Sequence, residues 1–135
     1  MTRAPAIDKL PDNGVRPLGA LVPAQLRRWA EQAGHEFREI RFNAGADKKA
    51  VLRAIAQALA FPAWFGANLD ALYDSLTDLP DGEAPGAARG WVIVLGSLPA
   101  TPHLDAETRS ALLDVFRDAA DDFAARGVGL RVFYA

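Results

Sequence analysis

Residues 61–79 read Phe-Pro-Ala-Trp-Phe-Gly-Ala-Asn-Leu-Asp-Ala-Leu-Tyr-Asp-Ser-Leu-Thr-Asp-Leu and contain the clearest helix signal in the chain. Asn68 is a good N-cap, because its side-chain oxygen accepts from the free N–H groups of a first helical turn. Gly66, just before it, supplies backbone freedom for a tight approach. Beyond the cap, Leu69, Leu72, Leu76 and Leu79 recur at helical spacing and predict one buried stripe. The outer positions hold Asp70, Tyr73, Asp74, Thr77 and Asp78, which places a tyrosine in water between carboxylates one turn apart.

Stability alone does not account for that outer face. Like charges at i and i+4 destabilise a helix by about 0.2–0.5 kcal/mol per pair. Asp70 is favoured by the positive end of the helix dipole, whereas Asp78 lies at the negative end. No basic residue occurs between Arg53 and Arg89 to relieve the repulsion locally. An acidic helix face often serves solubility and nothing more. The aromatics Trp64, Phe65 and Tyr73 point further, since aromatic anchors within a polar surface are typical of protein interfaces.

Working outward, residues 1–21 contain Pro5, Pro11, Gly14, Pro17 and Gly19 with little periodicity and read as an irregular arm. A helix is predicted over 23–33, with Pro23 in its first turn, Trp29 in its apolar stripe and Gly34 closing it. A strand is expected at 37–43, then a helix capped by Asp47 that runs to about Ala60. The acidic helix follows, and residues 80–90 have the composition of a loop. Trp91-Val-Ile-Val-Leu95 is apolar on both faces, as a strand buried between two layers must be. A long amphipathic helix spans Asp105 to about Arg126, Gly127 ends it, and Val128–Tyr134 is a closing strand. Strands alternating with helices imply an α/β domain, a small three-stranded parallel sheet flanked by helices. The organisation expected is an N-terminal arm and helix over 1–34 and a domain over 35–135.

With 135 residues, half of them hydrophobic and 24% charged, one core is expected. There is no cysteine, which excludes disulfides, thiolate metal sites and a cysteine nucleophile and suits a reducing cytoplasm. No apolar run is long enough for a signal peptide or a membrane span. Residues 1–46 carry seven basic and five acidic groups, whereas 47–90 and 91–135 each carry four basic and six acidic groups. The acidic cluster from Asp70 to Glu83 repels phosphates, so it disfavours nucleic acid, and it attracts a cationic partner.

No catalytic or cofactor motif emerges. His35 and His103 lie in turns with no triad partner at any motif spacing and read as solvated residues. Gly82, Gly86 and Gly90 precede a strand instead of following one, so they do not form a dinucleotide loop. Asp70 and Asp74, one turn apart, could in principle form a carboxylate pair for acid–base chemistry or a metal. Such chemistry requires a cleft that separates their pKa values, and an exposed helical face offers none. The reading is therefore a non-enzyme with no cofactor and no metal.

The segment Trp64-Phe65-Gly66-Ala67-Asn68-Leu69-Asp70-Ala71-Leu72-Tyr73-Asp74-Ser75-Leu76-Thr77 closely resembles the signature of the barstar family, protein inhibitors of barnase-type ribonucleases. Val115-Phe116-Arg117-Asp118-Ala119 resembles the late helix of that family, where the Asp118 position is acidic. The order of elements fits over residues 36–135. The resemblance implies a barstar-like fold and a cytoplasmic inhibitor of a cationic ribonuclease or related toxin. By the same resemblance, Trp64, Phe65, Gly66, Asn68, Asp70, Tyr73, Asp74, Thr77 and Asp118 form the partner-binding surface. Asp74 would take the place of the substrate phosphate, Trp64 would stack on the enzyme, and Tyr73 replaces a tryptophan. The residues before His35 have no counterpart in the minimal inhibitor, and the 80–90 loop is longer. A binding module of the same fold with a non-nuclease partner is the alternative, because it too requires an acidic interface.

Overall fold

Strand formation here is governed by which segments find a neighbour in the sheet. A computed structural model describes residues 7, 10–62, 66–80 and 90–135. Along the chain lie β1 (Gly14–Pro17), α1 (Pro23–Ala33), β2 (Glu36–Arg41), α2 (Lys48–Ala58), α3 (Leu69–Thr77), β3 (Gly90–Gly96), α4 (Ala106–Ala125) and β4 (Gly129–Tyr134). The strands form one sheet in the order β1-β4-β3-β2, and every neighbouring pair is parallel. The expected α/β class holds, but the sheet has four strands and not three.

The additional strand is β1, which falls in the segment read as an irregular arm. Its four residues, Gly-Val-Arg-Pro, are too few to show alternation and include a poor strand former at each end. Long-range contacts create it instead. Val15 pairs with Val132 and Arg16 with Phe133. Just upstream, the Asn13 amide donates to the carbonyls of Ala120 (3.1 Å) and Val128 (2.8 Å). Arg131, itself buried, donates from Nε to the Pro11 carbonyl at 3.0 Å. Pro17 is tolerated because β1 is an edge strand.

Strand order explains where the helices lie. The chain first runs from one edge, β1, to the other, β2, and then returns through β3 to β4. Parallel crossovers are right-handed, so reversing the direction of travel transfers the connecting helices to the opposite face. The two cores match this requirement. On one face, Leu26 and Ala30 of α1 pack with Phe37, Val92, Val94 and Phe133. On the other, Ile93, Leu95, Leu130 and Val132 meet the apolar residues of α2, α3 and α4. β3 contributes alternate residues to both cores, and each residue from Gly90 to Leu95 is buried, as its uniformly apolar sequence required.

Local signals set the helix ends. Asp47 Oδ1 accepts from the Ala50 N–H at 2.9 Å, and Asp105 Oδ1 accepts from Thr108 at 2.7 Å. That bond holds the Asp105 carboxyl below its ordinary value. Gly34, at φ +74°, closes α1 in the left-handed conformation expected of it. Helix α2 ends at Ala58, two residues short of the expected boundary. Trp29 is half-buried against the α1 core. His103 is exposed, but His35 is not the solvated residue anticipated: it is half-buried, with its ring against Gly90 and Gly129. No helix among the described residues is long and apolar enough to cross a membrane.

The junction of β3 and β4 offers a direct test of this packing. A Cβ at Gly90 would stand 3.0 Å from the Gly129 backbone and 3.0 Å from His35 Cε1, whereas one at Gly96 meets its nearest atom at 3.5 Å. Gly90→Ala should therefore cost about 1–3 kcal/mol in urea unfolding, and Gly96→Ala less than about 0.5 kcal/mol. Equal effects would contradict the close approach.

Candidate functional site

The acidic helix α3 is built as its sequence suggests, with two local differences. Asn68 is the N-cap and accepts from the Ala71 N–H at 2.8 Å. The left-handed residue before it is Ala67 (φ +50°), not Gly66. What Gly66 supplies is space, because a Cβ there would lie 3.1 Å from the Asn68 side-chain nitrogen. Leu72 and Leu76 are fully buried, Leu79 is buried just past the helix, and Leu69 is partly buried. They share a core with Leu112, Phe116 and Phe123 of α4, the helix against which α3 packs. Tyr73 is half-buried, so it lies at the edge of that contact and not out in water.

Asp70, Asp74 and Asp78 are exposed. Among the described residues none of them enters an ion pair. Their neighbours on α4 behave differently: Asp114 binds Arg117 at 2.7 Å and Asp122 binds Arg126 at 3.2 Å. Asp118, between those two pairs, is exposed and likewise has no cationic partner among the described residues.

Asp118 comes to α3 through the fold, since α3 and α4 are far apart in sequence. Leu69, Asp70, Tyr73, Asp74, Val115 and Asp118 line one open depression of about 450 Å³ between the two helices. Three carboxylates thus border a half-buried tyrosine on a rigid two-helix platform. Exposed charges in water repel one another weakly, which makes the arrangement tolerable.

Thr77 contributes differently from the carboxylates. Its hydroxyl lies 3.0 Å from the Tyr73 carbonyl and 3.1 Å from that of Asp74, so its proton is directed into the backbone of its own helix. The hydroxyl can still accept from a partner. Trp64 and Phe65 lie outside the described residues.

The compensating cation, absent near α3 in sequence, arrives from α4. Arg126 Nη2 donates to the Thr77 carbonyl at 3.3 Å from 49 positions away. It also pairs with Asp122, and its guanidinium stacks 4.4 Å from the Phe123 ring centre. A cation placed there opposes the negative end of the α3 dipole. The periodicity of either helix taken alone gives no sign of this contact.

The barstar family model, described as Barstar (barnase inhibitor), matches residues 35–135. The chain belongs to the barstar family. The barstar match takes in β2 through β4, together with α3 and Asp118, while β1 and α1 precede it. No curated protein matches the chain at a significant level.

Arg126→Ala should lower stability by about 1 kcal/mol in urea unfolding, from loss of its charge-assisted bond to the end of α3. Arg126→Lys should retain part of that. A loss below about 0.2 kcal/mol would mean that Arg126 does not anchor α3.

Proposed function

We propose that this barstar-family protein inhibits a cationic ribonuclease by inserting the α3–α4 face into the enzyme's phosphate-binding cleft. The observation that carries this reading is the convergence of Asp70, Asp74 and Asp118 on one exposed depression without a cation among the described residues. A nuclease cleft is cationic because it holds phosphates, so carboxylates at fixed positions imitate the nucleic-acid backbone. Arginine–carboxylate pairs of this kind are charge-assisted and often bidentate. Burying them is favourable only when both members are present and well oriented.

In this reading Asp74, in the middle of α3, takes the substrate phosphate's place, with Asp70 one turn before it. Asp118 adds a peripheral pair from α4. Tyr73 supplies an aromatic surface beside the carboxylates, Gly66, Asn68 and Thr77 complete the contact, and the family resemblance adds Trp64 and Phe65 to the residues that meet the partner. The helical scaffold fixes the carboxylates before binding, which reduces the ordering that the complex requires.

The test is inhibition and direct binding of a barnase-type ribonuclease. Asp74→Ala should weaken the complex by about 2–5 kcal/mol, the usual cost of truncating one partner of a buried, hydrogen-bonded charge pair, while leaving the unfolding midpoint unchanged. A weakening below about 0.5 kcal/mol, typical of a rim charge, would remove Asp74 from the centre of the interface. Absence of binding to any such ribonuclease, at low and moderate salt, would instead favour a non-nuclease partner for the same face.

A further inference from the structure

Asp78 is the one α3 carboxylate that the proposed inhibition does not use. It is the C-cap of α3, exposed at the negative end of the helix, where a carboxylate is unfavourable. Arg126 comes to that same helix end, yet it binds the Thr77 carbonyl and Asp122, and no ion pair to Asp78 forms among the described residues.

Asp78 borders a second cavity, of about 420 Å³, on the side of α3 away from α4's Asp118. Leu59, Phe61, Leu79 and Trp91 give it apolar walls, and Asp74 and Asp78 stand on its rim. The Trp91 indole N–H donates to the Pro80 carbonyl at 2.9 Å, which fixes the ring. Arg38 also lines the cavity, with its guanidinium 5.2 Å from the Trp91 ring centre. Its charge is already matched: Nη1 binds Glu36 at 2.7 Å and the Phe37 carbonyl at 2.8 Å. Among the described residues that line the cavity, the charge left over is therefore negative.

We propose that this cavity receives a long cationic side chain of the partner, arginine in preference to lysine. This rests on the reading of α3 as the surface for a cationic protein and adds a second anchor to it. An arginine stem lies along apolar walls while its head reaches the rim carboxylates. The planar guanidinium also stacks on an aromatic ring, which an ammonium does less well. Asp74, which borders both cavities, then links the two anchors.

An NMR titration of the ¹⁵N-labelled protein with n-butylguanidinium, its neutral isostere n-butylurea and the anion valerate tests this directly. The expected result is saturable shifts at the Trp91 indole and the Ser75 and Asp78 amides. Butylguanidinium should bind at least threefold more tightly than butylurea, and valerate should not bind. Asp78→Asn, checked for an unchanged spectrum elsewhere, should reduce that preference at least twofold. Equal binding of the neutral isostere, preference for valerate, or no saturable shift would overturn the inference. The titration involves no protein partner, so its outcome is separate from whether a ribonuclease is inhibited.

Discussion

Burial of Leu72 and Leu76 against α4 is the contact on which the rest of the site depends. Each is fully excluded from water, and a fully buried leucine contributes about 1.5–3 kcal/mol relative to exposure. That apolar attachment fixes the rotation of α3 about its own axis. Once the leucine stripe points inward, Asp70, Asp74 and Asp78 must point outward, because positions one or two residues away occupy other sides of a helix. The same contact brings Asp118 beside Asp70 and Asp74. The acidic surface is thus held in place by hydrophobic packing beneath it and needs no charge pairing of its own.

This division separates two demands that would otherwise conflict. A carboxylate held in an internal salt bridge would be well positioned but unable to receive a visitor's cation. Here the fixed ion pairs lie to either side, at Asp114–Arg117 and Asp122–Arg126, and the carboxylates between them stay available. Bonds to the backbone stabilise α3 as well: Asn68 caps one end of the helix and Arg126 anchors the other. Both act on backbone groups, so neither neutralises Asp70 or Asp74. A surface of this design is unfavourable in the free protein by a small amount only, since water screens exposed charges. Inside a cationic cleft the same charges lose that screening and bind strongly.

The parts of the molecule that local chemistry determines were legible in the sequence. Asn68, Asp47, Asp105 and Gly34 end helices for reasons contained within a few residues. Trp91–Leu95 announced a strand buried on both faces through its unbroken apolar character. Non-local pairing was not legible. Gly14–Pro17 is a strand only because β4 lies beside it, and no property of those four residues distinguishes them from a turn. Likewise Arg126 meets the end of α3 from 49 positions away. At the site, Asp70 and Asp74 followed from helical spacing, and Asp118 followed from family resemblance. Val115, which completes the depression, carried no sequence signal beyond the apolar pattern of α4. Helical spacing alone sets Tyr73 in water, yet it is half-buried, because spacing records which side a residue occupies and not how far the neighbouring helix reaches.

The central claim is that carboxylates at particular positions, and not acidity in general, recognise the partner. Its most direct measurement is the association rate with a barnase-type ribonuclease at low salt, for two double variants with the same change in net charge. Asp70→Asn with Asp118→Asn removes charge from the α3–α4 depression, whereas Glu31→Gln with Glu107→Gln removes it from α1 and the first turn of α4. Local electrostatic steering changes such rates by about tenfold or more. The account predicts a fall of that size for the first pair and less than about twofold for the second. Equal falls for the two pairs would contradict it, since net charge alone would then explain the attraction.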